Sequence, residues 1–271
     1  MAGPDLERLA RNATAIAIEA GQAILEVYAR DFEVVAKADQ TPLTQADLAS
    51  HHIICDALGR LTPDIPLLSE ESADIDFATR STWQRYWLID PLDGTREFVS
   101  RNGEFTVNIA LIDDHEPVLG IVHVPVTGVT YTGVRGVGAT RSSPAEGIRN
   151  IHVRQPCGDP AVIVGSRSHA NPELERYLRP LRHELVSMGS SLKFCLLAEG
   201  KADFYPRLGP TSEWDTAAAH AVVSAAGGRI VRLDGSPLRY NTKESLLNPE
   251  FLVIADPARD WLSLFQGYES T

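Results

Sequence analysis

A mixed α/β fold is predicted by three features of the chain. These are an amphipathic helical opening, a run of short apolar segments between residues 65 and 134 that reads as an antiparallel sheet, and an alternation of strand-like and helix-like segments after residue 148.

Leu6, Leu9, Ala13, Ile16, Ala17, Ala20, Ile24 and Val27 recur at spacings of three and four, which predicts one amphipathic helix over roughly the first thirty residues. Residues 32–36 read as extended. Thr44 opens a second helix with Asp47 three residues later, as in a capping box, so Asp47 reads equally as a cap and as a chemical group. Residues 65–68 and 86–89 are apolar runs followed at once by acids, Ser69-Glu70-Glu71 and Asp90-Pro91-Leu92-Asp93, which puts carboxylates at strand ends. Residues 106–112, 118–124 and 129–134 follow as strands, with Asp113-Asp114 and Thr127-Gly128 as turns.

The polar stretch 141–147 interrupts this periodicity and suggests a boundary, giving an N-terminal α+β lobe over 1–147 and a C-terminal α/β lobe over 148–271 within one compact unit. In the second lobe, strands are predicted at 161–164, 202–205, 229–233 and 251–254. Helices are predicted at 172–182, 190–199 and 212–226, with a closing helix at 261–265.

Composition narrows the function. Twenty-five basic against thirty-six acidic residues give a formal charge of −11, which disfavours nucleic acid polymers and anionic lipid surfaces but leaves a small anionic substrate open. Cys55, Cys157 and Cys195 are odd in number and lack any Cys-x-x-Cys spacing, so neither a disulfide framework nor a thiolate zinc site is expected. Asp5 and Glu7 stand where a secretory peptide would be basic, and no apolar run approaches ~18 residues. A cytoplasmic protein without a transmembrane segment is the expectation.

Asp90-Pro91-Leu92-Asp93-Gly94-Thr95 carries two carboxylates on a proline- and glycine-bent turn after an apolar strand. Hard divalent ions such as Mg²⁺ take oxygen ligands and retain waters, so a few carboxylates and a carbonyl such as that of Leu92 suffice, whereas zinc would want histidine or cysteine. Glu70 and Asp215 are further acids whose settings suggest fixed positions. Singly, each has an ordinary reading: Asp93 as a turn former, Asp215 as a helix N-terminal charge, Glu70 as a loop acid. Convergence changes that, because a like-charge pair at ~4 Å costs about 4 kcal/mol at an effective dielectric of ~20, and a cation relieves it. Backbone amides of Gly94 and Thr95 can meet phosphate oxygens if the turn leads into a helix.

These residues resemble the inositol monophosphatase superfamily of lithium-sensitive, magnesium-dependent phosphatases over almost the whole chain. The motifs are Glu70-Glu71-Ser72, residues 90–95, and Glu213-Trp214-Asp215-Thr216-Ala217-Ala218 followed by Ala225-Ala226-Gly227-Gly228. Arg96-Glu97-Phe98, residues 103–112 and residues 189–195 further resemble the bacterial 3′(2′),5′-bisphosphate nucleotidases within it. Ala219 departs from the glycine common there, with a possible small shift of Asp215.

The resemblance implies a layered αβαβα sandwich of the sugar-phosphatase type, with a metal-binding first lobe and a substrate-binding second lobe. It implies two to three Mg²⁺ ions, held by Glu70, Asp90, Leu92, Asp93 and Asp215. Thr95 paired with Asp47 would activate the attacking water, with Glu70 also in the catalytic set and Lys37 either an auxiliary charge or an ordinary exposed lysine. Gly94, Thr95, His169, Ser190, Lys193 and Arg207 would line the substrate site. The implied reaction is removal of the 3′-phosphate of adenosine 3′,5′-bisphosphate, with the 5′-phosphosulfate relative as a second substrate. The alternatives are an inositol monophosphatase or sugar bisphosphatase, and a metal- or nucleotide-sensing module without turnover. Loose association with the inner membrane is a further implication, and both monomer and homodimer fit.

Overall fold

The computed structural model describes residues 3–29, 34–36, 42–167 and 172–268. Helix α1 (Gly3–Tyr28) is the predicted opening helix and buries Leu9, Ala13, Ala17, Ala20 and Ile24. Strands β1 (Val34–Ala36) and β2 (Pro42–Thr44) pair antiparallel, and α2 (Gln45–Leu61) starts directly after Thr44.

A seven-stranded sheet then runs in sequence order: β3 (Leu67–Ser69), β4 (Arg85–Asp93), β5 (Thr106–Asp113), β6 (Glu116–Val124), β7 (Val129–Val134), β8 (Gly138–Ser143) and β9 (Gly147–Ile151). Only the β3–β4 pair is parallel. A five-stranded mixed sheet follows, in the order β11-β10-β12-β14-β13. Its members are β10 (Ala161–Ser166), β11 (His183–Met188), β12 (Phe204–Arg207), β13 (Arg229–Arg232) and β14 (Phe251–Ile254).

The two-residue period of the strands assigns each face. Trp87, Ile89, Ile109, Leu111 and Ile121 pack with α1 and α2, while Tyr86, Leu88, Ala110, Ile112 and Val122 face the other way. That second face meets α6 (Leu192–Ala198) and α7 (Trp214–Ala225), which in turn cover Tyr205, Phe251 and Val253 of the second sheet. The outer face of the second sheet, with Phe204, Leu252 and Ile254, packs on Leu178 of α5 (Pro172–Leu178) and on Trp261 and Phe265 around a 3₁₀ turn (Leu262–Phe265). The layering is αβαβα. Strands buried on both faces explain why they read as continuous apolar runs.

Helix α7 lies almost on the backbone of the large sheet. A Cβ added at Gly120 would sit 2.0 Å from the Ala218 carbonyl oxygen, and one at Gly133 would sit 2.4 Å from Val222 Cα. The close approach is thus made by glycines of β6 and β7, and the buried Ala219 is accommodated in the same helix. Gly120→Ala is expected to destabilise the protein by about 2 to 3 kcal/mol in denaturant titrations, because overpacking here meets backbone and not a mobile side chain.

Several expected elements differ in extent. The helix predicted over 172–182 ends at Leu178, and 183–188 is strand β11, whose alternating His-Glu-Leu-Val-Ser-Met lies half-exposed at a sheet edge. Strands β8 and β9 lacked an apolar signal because β9 is the exposed edge of the sheet and β8 beside it is mostly half-buried, and the polar 141–147 stretch closes their hairpin. The predicted 202–205 strand runs over Phe204–Arg207, and the closing segment is 3₁₀. Short helices α3 (Phe77–Arg80) and α4 (Thr95–Val99) were not anticipated.

Candidate active site

The site begins with a fault in the β4–β5 ladder. Asp90 pairs with Asn108 but Asp93 pairs with Thr106, so two residues of β4 face one of β5. In a regular strand, residues three apart point to opposite faces. The bulge corrects that parity: Leu92 packs with the α1–α2 core, and Asp90 and Asp93 both turn toward α7. The turn is held from behind, where Ser50 on α2 donates to the Pro91 carbonyl at 2.7 Å and the Leu92 amide donates to Asp90 Oδ1 at 3.1 Å. Gly94 follows at φ 93°, a left-handed conformation that favours glycine, and opens α4.

Asp215 enters from the first turn of α7, its Oδ2 accepting from Thr211 Oγ1 at 2.7 Å and from the Ser212 amide at 2.9 Å. One carboxylate oxygen each of Asp90, Asp93 and Asp215 lie within 4.8 Å of one another. Asp93 is gripped through Oδ2 alone, by the Ser191 amide at 2.6 Å, Ser191 Oγ at 2.7 Å, Asn108 Nδ2 at 3.2 Å and Thr106 Oγ1 at 3.4 Å. This leaves its second oxygen for a cation. Ser191 Oγ also accepts from Asn108 at 2.9 Å and lies 2.7 Å from the Asp215 carbonyl, so its single hydrogen stands between acceptors on two of the acidic residues.

The electrostatics are those of crowded acids. Burial, then the charges of Glu70, Asp93, Asp215 and Asp47, hold Asp90 well above the usual carboxylate range. Asp93 is raised to about 6 by burial and by Asp215, against the opposing pull of Lys193 and the Ser191 hydrogen bonds. Lys193 is itself lowered, chiefly by burial, and its Nζ donates to the Ser190 carbonyl at 2.6 Å. Among the described residues, no lysine or arginine forms an ion pair with Asp90, Asp93 or Asp215. An all-oxygen donor set of buried, mutually repelling carboxylates fits a hard divalent ion.

A cavity of about 260 Å³ opens over this group, lined among others by Glu70, Leu92, Gly94, Thr95, Ser190, Lys193 and Arg207 together with the three acids. Ten of the residues singled out in the sequence therefore share one cavity. Glu70, first residue of a 3₁₀ turn (Glu70–Ser72), stands beside the tight group of three. Asp47 is fully buried on α2 and is not among the residues lining the cavity, although its charge is felt at Asp90. Arg207 spends its guanidinium on the carbonyls of Gly209 and Pro210, at 3.1 and 2.5 Å. Lys37 and His169 lie outside the described residues.

Asn108, Ser191 and Thr211 were missed. Asn108 had a signal, as an amide inside an apolar strand, but the partners of Ser191 and Thr211 are remote in sequence or set only by the fold. No helix among the described residues is long and apolar enough to cross a membrane. Cys55, Cys157 and Cys195 are all free thiols.

Comparison with known proteins agrees with this geometry. The chain is 53% identical over 242 residues to a protein of Escherichia coli O157:H7 named 3′(2′),5′-bisphosphate nucleotidase CysQ, a match covering 88% of this chain and 96% of that one. A Haemophilus influenzae protein of the same name is 36% identical, covering 96% and 97%. Among solved structures, CysQ from Bacteroides thetaiotaomicron superposes with a TM-score of 0.81 at 42% identity over 92% of this chain and 97% of that one. An inositol monophosphatase from Anabaena gives 0.79 at 25% identity, covering 98% of each. The model of the inositol monophosphatase family matches residues 5–259, and with the acids of its three motifs gathered in one cavity the chain belongs to that family.

Proposed function

We propose that this chain is a Mg²⁺-dependent phosphomonoesterase that removes the 3′-phosphate of adenosine 3′,5′-bisphosphate to give AMP and phosphate. The observation that carries the reading is the convergence of Asp90, Asp93 and Asp215 within 4.8 Å inside a cavity that also holds Glu70 and the three cationic side chains of Arg96, Lys193 and Arg207. The choice of a bisphosphorylated nucleotide over an inositol phosphate or a sugar bisphosphate is supported by the name that the Escherichia coli and Haemophilus influenzae relatives share and by the positive field of Arg96, Lys193 and Arg207 in the cavity wall.

In this reading Glu70, Asp90, Asp93, Asp215 and the Leu92 carbonyl hold the Mg²⁺. When bound, the metal supplies positive charge to the phosphoryl oxygens and the leaving alkoxide, and lowers the pKa of a bound water. Thr95 orients the attacking water, and Asp47 takes up its proton through that hydroxyl. The amides of Gly94 and Thr95 face phosphate oxygens. Ser190 and Lys193 line the nucleotide side, with His169 as its further member and Lys37 as an auxiliary charge. The first lobe, 1–147, carries the metal ligands apart from Asp215, together with the phosphate-facing Gly94 and Thr95, and the second, 148–271, carries the contacts on the nucleotide side. The enzyme works in the reducing cytoplasm, in keeping with its free thiols.

The test is phosphate release from adenosine 3′,5′-bisphosphate, inositol 1-phosphate and fructose 1,6-bisphosphate, each with Mg²⁺, with EDTA, and with Mg²⁺ plus Li⁺. The nucleotide is expected to be turned over fastest, with loss in EDTA and inhibition by Li⁺. Faster turnover of either other substrate would move the specificity, and release unaffected by EDTA would sink the metal mechanism.

A further inference from the structure

We infer that Glu104 is a positioning residue of this site, acting through the Gly189–Ser191 turn and clamped in place by Arg167. The inference rests on the reading of the acid cluster as a metal site. Glu104 precedes β5, and its carboxylate accepts three hydrogen bonds: from the Gly189 amide and Arg167 Nε on Oε2, and from Arg167 Nη2 on Oε1, each at 2.7 Å. Arg167 also donates to the Ser187 carbonyl at 2.9 Å, and its own amide donates to the Met188 carbonyl at 3.2 Å. One carboxylate therefore joins the segment leading into β5 of the seven-stranded sheet to the ends of β10 and β11 of the second, next to Ser190 of the cavity wall.

The turn held in this way is not free to relax. A Cβ at Gly189 would come 2.7 Å from Glu97 Cγ and 3.0 Å from the Cβ and the carbonyl oxygen of Glu104, so the backbone is wedged against both acids. Ser190 adopts φ 44°, a left-handed conformation that a serine keeps only when its surroundings impose it. The next residue, Ser191, supplies two of the four donors on Asp93 and the link to α7 beside Asp215. The sequence of contacts runs from Arg167 to Glu104, to the Gly189 amide, to the strained Ser190, and to the carboxylate of Asp93. An ion pair whose arginine side chain is 45% exposed adds little to global stability. Its four-point geometry instead fixes the direction in which Ser191 points.

The experiment compares the full-length wild type with Glu104→Ala, Glu104→Gln and Arg167→Ala. It measures Mg²⁺ and Mn²⁺ binding to the metal-free protein by calorimetry, kcat and KM for adenosine 3′,5′-bisphosphate, and Tm. Glu104→Ala is expected to weaken divalent binding and raise KM by about 10-fold, as loss of groups that orient metal ligands does, while Tm moves by only a few degrees. Glu104→Gln, which keeps an acceptor for the Gly189 amide, is expected to recover most of the metal affinity. Arg167→Ala, which leaves that amide bond in place but frees the carboxylate to swing, is expected to fall between the two. If Glu104→Ala folds and binds metal within about twofold of wild type with KM unchanged, the inference is overturned. If it does not fold, Arg167→Ala decides on the same criterion. Wild type that binds no divalent ion overturns the metal reading itself, whereas an active wild type with indifferent variants overturns only the role of Glu104.

Discussion

Asp90→Asn is expected to lower phosphate release by on the order of 10³-fold, about 4 kcal/mol of barrier, in an assay at saturating Mg²⁺. The acid faces Asp93 and Asp215, and four neighbouring acids act on it, so its charge is the one the cation site can least spare. The amide preserves shape and the Leu92 hydrogen bond to Oδ1, which separates loss of charge from loss of packing. Stability moves the other way. In the metal-free protein the variant is expected to melt higher than wild type near neutral pH, because it removes a buried like-charge repulsion. Added Mg²⁺ is expected to reverse the order.

The pH dependence of that difference has a definite sign. Asp90 and Asp93 bind protons more tightly folded than unfolded, so their contribution favours folding at low pH and is lost as pH rises through their elevated range, about 6 for Asp93. His123 and His220 act oppositely, since burial lowers them to about 4 and about 3 and their contribution is lost as pH falls. Taking variant minus wild type cancels the histidines. The metal-free Tm difference should widen between about pH 4 and pH 7, and a flat difference would show that Asp90 is not held protonated.

Asp47→Asn is expected to lower kcat by about 10²- to 10³-fold while leaving divalent affinity close to wild type. The residue is fully buried on α2, the helix whose Ser50 anchors the Asp90–Asp93 turn, and its charge reaches Asp90 without its lining the cavity. In the proposed mechanism a group placed there acts through an intermediary, Thr95 in the cavity wall. Thr95→Ala should therefore cost about as much as Asp47→Asn, and the double variant little more than either alone, as for residues that act as a unit. Losses that multiply in the double variant would separate the two residues. An Asp47→Asn enzyme with normal kcat would leave that acid as a helix cap and a buried charge only.

The layers and the acids were legible in the sequence for the same reason. Strands such as 86–89 and 106–112 are buried on both sides and so read as unbroken apolar runs, against which Asp90 and Asp93 stand out. The edge strands β9 and β11, and β8 beside β9, were invisible, since half-exposed pairing needs no apolar alternation. The supporting residues were harder still. Ser191 meets Asp93 across 98 positions of chain and Asn108 meets Ser191 across 83, distances over which local pattern carries no information. Lys193, expected to line the substrate site, stands in the cavity wall, and what the sequence did not carry is its burial and the bond of its Nζ to the Ser190 carbonyl.

The extra residue in β4 makes the cavity's chemistry a question of odd and even. Were β4 to pair without that bulge, with Pro91 and Leu92 each opposite its own residue of β5, Asp93 would rotate to the side of α1 and α2, and the carboxylates would part company though every one of them is still in the chain. A slip of register by one residue at this point would thus disarm the protein more thoroughly than many substitutions, by putting an acid into oil and leaving its partners facing an empty wall.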